Sequence, residues 1–169
     1  MKYRFNRQEM KIGMRTAKTG LSVFTVLLLF HFLGWEGTQI AALTTVFSLR
    51  EDFDKSLSFG WSRIIGNSIG GFLALIFYLV DGFFHSSFLV TLFLVPILTM
   101  LTIVLNVAIN NKSGIIGATA ALLIITLSVP SGDTIIYVFA RVFETFVGVF
   151  IAIIINSDVD KLRQYLTRK

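Results

Sequence analysis

The chain contains no cysteine, which removes thiol catalysis, cysteine-ligated zinc and every disulfide. Proline occurs twice, too rarely for a proline-rich or collagen-like segment. Charged side chains make up 15% of the 169 residues, against about 25% in an average soluble domain. The two histidines, His31 and His85, are far apart and neither has an acid at ligand spacing, so no metal centre is expected. No nucleotide-binding loop, catalytic triad, paired catalytic carboxylates or H-E-x-x-H string occurs, and neither catalysis nor a cofactor is expected. Apolar residues fill the space left by these absences. They account for 54% of the chain, with 17 phenylalanines and a mean hydropathy of +0.77. A water-soluble globule needs a polar coat that this composition cannot supply, so the excess must face lipid.

The apolar runs are 19–33, 37–49, 64–80, 88–109, 115–129 and 134–156. A membrane-spanning helix takes about 20 residues. The first, fourth and sixth runs meet that length, and the third does if its helix begins near Leu57. The second and fifth are short. We expect an all-α integral membrane protein with six transmembrane helices, the short pair crossing with the help of their flanks.

The basic residues set the expected orientation. Fourteen of the 15 Lys and Arg residues stand before the first run, in the second-to-third and fourth-to-fifth connections, or in the tail. Arg141 is the exception. The remaining connections carry only Glu36, Asp81 and Asp133 as charges. The positive-inside rule then places both termini in the cytoplasm, which an even number of crossings allows. The isoelectric point of 9.7 reads as a membrane signature, and no nucleic-acid partner is expected. The expected organisation is a basic cytoplasmic N-terminus over 1–18, a transmembrane domain over 19–156 and a basic cytoplasmic tail over 157–169. The first run has the charge pattern of a signal peptide but no small-x-small cleavage site, so it is expected to stay as a span. Trp35 and Trp61 fit the aromatic belts at the two interfaces, and Pro96 is expected to kink the fourth helix.

An internal repeat is visible at an offset of 78 residues. Arg63 aligns with Arg141, Gly70 with Gly148, Phe72 with Phe150, Ala74 with Ala152 and Ile76 with Ile154. Gly37 and Gly114 stand ahead of the two short runs at nearly the same distance from the arginines. The expectation is two three-helix units, about 13–80 and 88–156. With an odd number of crossings in each, they form inverted repeats. The alternative is one helix-packing pattern used twice.

Several residues cost free energy inside a membrane and so become site candidates. Arg141 lies within the sixth run with Glu144 three residues on, close enough on one helix face to pair. A charge at mid-span costs roughly 2.5–3.5 kcal/mol on insertion scales. One reading makes Arg141 an anion anchor and Glu144 its gate or proton carrier; the other makes them a structural pair. Arg63 opens the string Ile64-Ile65-Gly66-Asn67-Ser68-Ile69-Gly70-Gly71, in which Gly66, Gly70, Gly71 and, in the second unit, Gly148 are candidates for close helix packing. Asn67, Thr44 and Thr119 are candidate solute contacts, since interrupted short segments at matching places in two halves mark transporter sites. Such hydroxyls also bond back to their own helix. The segment around 50–62 mixes acids and Lys55 with Phe53, Leu57, Phe59 and Trp61, and reads as an amphipathic helix leading into the third span.

Three segments together carry a resemblance: Gly13-Met14-Arg15-Thr16-Ala17-Lys18-Thr19-Gly20, then Lys55 through Asn67 into Gly70-Gly71, and the echo from Arg141 to Gly148. The chain resembles the membrane part of the bacterial aromatic acid exporter family, within the fusaric acid resistance (FUSC) superfamily, from about Met10 to Asn156. The resemblance implies an inner-membrane, multi-pass exporter of aromatic carboxylic acids, with Arg63, Gly66 and Gly70 at signature positions. Asn67 stands where the family usually has Thr, and Phe47-Ser48-Leu49 replaces a more polar end to the second span. Many relatives carry a cytoplasmic C-terminal domain where this sequence has its short basic tail. The functional expectation is a small membrane transporter, exporting aromatic carboxylic acids or related organic anions with ion-gradient coupling. A homodimer or higher homo-oligomer in contact with membrane lipid is expected. A second reading is a non-transporting membrane scaffold or accessory subunit of an envelope complex.

Overall fold

A computed structural model of the chain describes residues 13–50, 53–84, 87–128 and 134–167, with side chains to 157 except that of Thr134. The basic residues Lys2, Arg4, Arg7 and Lys11, the loop residue His85 and the side chains of the tail lie outside the described residues. The described regular structure is entirely helical: α1 (Met14–Leu33), α2 (Thr38–Ser48), α3 (Phe53–Phe83), α4 (Phe88–Ala108), α5 (Ile115–Ser128) and α6 (Thr134–Thr167). In hydrocarbon a helix satisfies its own backbone polar groups, which is why so apolar a chain takes this form.

Among the described residues four helices are long and apolar enough to cross a membrane: α1, α3, α4 and α6. The other two are short. α2 has 11 residues and α5 has 14, or roughly 16 and 21 Å at 1.5 Å per residue. The third helix starts at Phe53 rather than near Leu57 and is continuous to Phe83. The amphipathic stretch and the span are thus one helix. α4 stays a single helix through Pro96.

α3 and α6 form the centre. Gly60 faces Val149, the Asn67 amide donates to Thr145 Oγ1 at 2.6 Å, and Gly71 faces Val138. Contact positions rise along α3 as they fall along α6, so the two run antiparallel. α5 lies parallel to α3, with Gly66 against Gly114 and Gly70 against Ala118. α2 lies parallel to α6, with Gly37 against Glu144 and Ala41 against Gly148. A methyl on Gly66 would stand 2.6 Å from the Gly114 carbonyl oxygen, so glycine sets how closely the backbones approach. Outside these, α1 packs on α2 and α6, while α4 packs on α5 and α3.

Two apolar clusters fill the sides. One gathers Leu73, Phe77, Val95, Leu98, Leu122, Ile125 and Val138; the other gathers Val26, Phe30, Ala41, Ile151 and Ile155. A buried polar relay closes one end. Lys18 Nζ donates to Asn156 Oδ1 at 2.8 Å, and Asn156 Nδ2 donates to Ser56 Oγ at 2.9 Å. The Arg50 backbone N–H also donates to Ser56 Oγ, at 2.8 Å. This joins the starts of α1 and α3 to α6.

Candidate functional site

The helix arrangement leaves a gap that its own elements do not fill. α2 rides on α6 and α5 rides on α3, but α2 and α5 do not pack on each other. Between them, over the α3–α6 crossing, lies a cavity of about 90 Å³ lined by residues that include Thr44, Phe47, Arg63, Asn67, Gly117 and Arg141. The rest of its wall is aliphatic, including Ile40, Leu43, Ile116 and Ile124. Two cations and two uncharged polar side chains therefore share a mostly apolar chamber.

Its polar atoms are incompletely satisfied. Arg63 is only 8% exposed. Among the described residues it has no hydrogen-bond or ion-pair partner, and its Nε is buried without one. Its guanidinium carbon lies 5.0 Å from the centre of the Phe47 ring, a cation–π contact. Asn67 uses its amide nitrogen on Thr145, while its Oδ1 has no partner. Thr44 Oγ1 is fully buried and likewise unpaired. Buried polar atoms are normally paired, so four such groups around one cavity, Arg141 Nε included, are more than chance packing leaves behind.

Arg141 stands in different company. Its Nη1 donates to Glu144 Oε2 at 3.1 Å, its Nη2 donates to the Tyr137 hydroxyl, and it lies over the Tyr137 ring at 4.3 Å. Three- and four-residue spacings on α6 bring all of these to one face. The Glu144 carboxylate lies against Gly37, whose φ of 82° is left-handed and whose missing side chain makes room for it. The first turn of α2 therefore receives a carboxylate, where free backbone N–H groups favour negative charge.

Arg63, Asn67, Thr44 and Arg141 line the cavity together, and Glu144 sits behind Arg141 outside the lining. Thr119 is not in the lining; its hydroxyl bonds back to the carbonyls of Ile115 and Ile116. Gly66, Gly70, Gly71 and Gly148 all lie at helix contacts. Gly117 falls in the short, interrupted fifth run that marks a transporter site by sequence, whereas Phe47 and Tyr137 were not singled out from the sequence as site residues. Tyr137 had a readable signal in its four-residue spacing from Arg141. Phe47 had none, because only the fold brings α2 to Arg63. Among the described residues no group of three or more His, Cys, Asp or Glu could hold a metal ion.

The family model described as aromatic acid exporter family member 1 matches residues 10–158. No curated protein and no solved structure matches the chain.

Proposed function

The chain belongs to the aromatic acid exporter family, and from that membership we propose that it exports aromatic carboxylates or closely related organic anions, using the inward proton gradient. Membership itself points to a multi-pass membrane exporter rather than an enzyme. The observation that carries the finer reading is the cavity over the α3–α6 crossing. It offers a buried cation, unpaired hydrogen-bonding atoms and an apolar wall, which together match a carboxylate on an apolar ring. Glu144 is the proposed proton carrier. It faces Arg141 on its own helix, with Glu36 close enough to act on its charge and Tyr137 sharing Arg141. An outgoing anion and an incoming proton would then use neighbouring groups with no ATP.

The test is efflux of labelled hydroxybenzoate from proteoliposomes with an imposed pH gradient. Wild type is expected to respond to the gradient, and Glu144→Gln protein that still folds is expected to lose that response. Flux unchanged in Arg63→Ala and Arg141→Ala alike would sink the anion role of the cavity.

Six crossings in two inverted halves, with both termini cytoplasmic, belong to the same proposal. Gly70 meets Ala118 as Gly148 meets Ala41, and Asn67 bonds to the residue 78 positions on, the repeat offset. Arg50 and Lys55 border one cleft with Ser113, the neighbour of Lys112, so basic residues gather at the end where α3 and α5 begin. A homodimer is proposed as well, because α2 and α5 leave the cavity without a wall between them. The chain has no cysteine, so Leu43→Cys and Ile116→Cys should crosslink cleanly between copies in native membranes. Crosslinking of Met100→Cys on α4 in their place would overturn that geometry.

A further inference from the structure

The two arginines occupy matching places in the sequence repeat, and each has a buried, unpartnered Nε and an aromatic ring nearby, yet they differ in the counter-charge an anion would meet. Arg141 is already neutralised: Glu144 holds one end of its guanidinium and Tyr137 the other. Arg63 has neither. Where Glu144 stands in the second half, the first half has Gly66, packed so closely on Gly114 that no carboxylate fits. A second difference lies across the cavity. A methyl on Gly117 would stand 3.1 Å from Arg63 Nη1 and 2.8 Å from Asn67 Oδ1, so glycine keeps the space beside that guanidinium clear. The position of α2 that matches Gly117 when Gly37 is laid on Gly114 is Ile40, a bulky side chain on the same wall.

We propose that Arg63 alone seats the carboxylate of a monoanionic solute, with Gly117 as the position that limits its size and the Arg141–Glu144 pair reserved for another role. Three features define the ligand class. One cation with no ion pair among the described residues, in a mostly apolar chamber, matches one negative charge; a second carboxylate would enter without a partner and be penalised for desolvation. The Asn67 Oδ1 beside Arg63 accepts a hydrogen bond and suits a ligand hydroxyl or a protonated donor near the acid group. Phe47 and the aliphatic wall suit a flat apolar body. The ligand is therefore a monocarboxylate with an apolar ring, preferred over the dicarboxylate on the same ring. The assignment rests on the exporter reading above, because it presumes that this cavity holds the transported anion.

The experiment is equilibrium binding of benzoate and of phthalate to purified protein in detergent. Wild type is expected to bind benzoate more tightly than phthalate. Arg63→Ala should weaken benzoate by about ten- to a hundredfold, the value of a lost hydrogen bond to a charged group. The double variant Arg141→Ala/Glu144→Ala, which removes the pair without stranding either charge, should lose less than Arg63→Ala does. Gly117→Ala gives an independent reading if Arg63→Ala fails to fold: it should weaken benzoate and weaken ring-substituted benzoates further. Wild type that binds no aromatic carboxylate would end the exporter reading and this assignment with it. Wild type that binds benzoate, with a larger loss in the double variant than in Arg63→Ala or with no loss in Gly117→Ala, would overturn the assignment alone. Phthalate bound as tightly as benzoate would overturn the single-charge argument.

Discussion

The turn that ends α1 and the turn that ends α4 follow one backbone course. Gly34 and Asn110 both adopt left-handed φ, at 62° and 59°. In each, the next N–H reaches back to a carbonyl five residues earlier, Trp35 to Phe30 at 3.0 Å and Asn111 to Asn106 at 2.8 Å. This is the Schellman way of closing a helix. The side chains at those same places share no chemistry. After α1, Trp35 meets Phe30 and Phe143 edge to face, with centroids at 5.7 and 5.3 Å. After α4, Asn111 donates to Asn106 Oδ1 at 2.8 Å and to the Ser62 carbonyl at 3.0 Å. A turn's backbone is thus indifferent to whether rings or amides fasten it. What differs is the end of the molecule: the aromatic turn lies where α1 finishes and α6 begins, the amide turn where α3 begins. At the two turns, as at the two arginines, like positions in sequence carry unlike side-chain partners.

The largest effect expected from breaking this contrast is at the arginines. Glu144→Gln strands a mostly buried cation and should destabilise the fold by about 3 kcal/mol, read as a drop in thermal midpoint in detergent. Among the described residues Arg63 has no counter-charge to strand. Arg63→Met should leave stability unchanged or raise it by about 1–4 kcal/mol while weakening carboxylate binding about ten- to a hundredfold, since sites often carry such a cost. A drop in midpoint for Arg63→Met as deep as for Glu144→Gln would show that Arg63 is ion-paired in the protein. Next come the fastenings. Asn111→Ala leaves Asn106 Oδ1 and the Ser62 carbonyl short of a donor, a loss of about 1–3 kcal/mol. Trp35→Ala gives up two ring contacts worth about 0.5–1.5 kcal/mol each. Asn111→Trp should fail to rescue the amide turn, because Ser62 offers a carbonyl and no ring. The smallest effect tests the shared backbone: Gly34→Ala should cost about 1–2 kcal/mol, and Asn110→Gly should be neutral or slightly stabilising. Equal losses for both changes would deny that the left-handed residue is what the turns have in common.

How much of this was legible in the sequence differs between fold and site. Helices showed in the apolar runs because a lipid-facing helix leaves a long, unmistakable stretch. The true start of α3 at Phe53 was harder, since its first turns carry Asp54 and Lys55 and look like a loop by hydropathy. Arg63 and Arg141 stood out because charge in an apolar run is costly. Their inequality did not, because Glu144 is three residues from one arginine while Gly117, the glycine that clears space beside the other, lies on α5, some fifty residues away. The Asn106–Asn111 fastening was equally hidden, since asparagine near a helix end reads as a cap or a turn residue before it reads as a clasp on another helix.

The bond between Asn67 and Thr145 lies where the two longest helices cross, and each carries a short helix along its flank, α5 on α3 and α2 on α6. Two stiff rods joined near their middles behave as scissor blades. Any rotation about the joint that spread the pieces at one face would draw them together at the other. The cavity lies beside that joint, so such a rotation would shift its α2 wall, with Phe47, against its α5 wall, with Gly117.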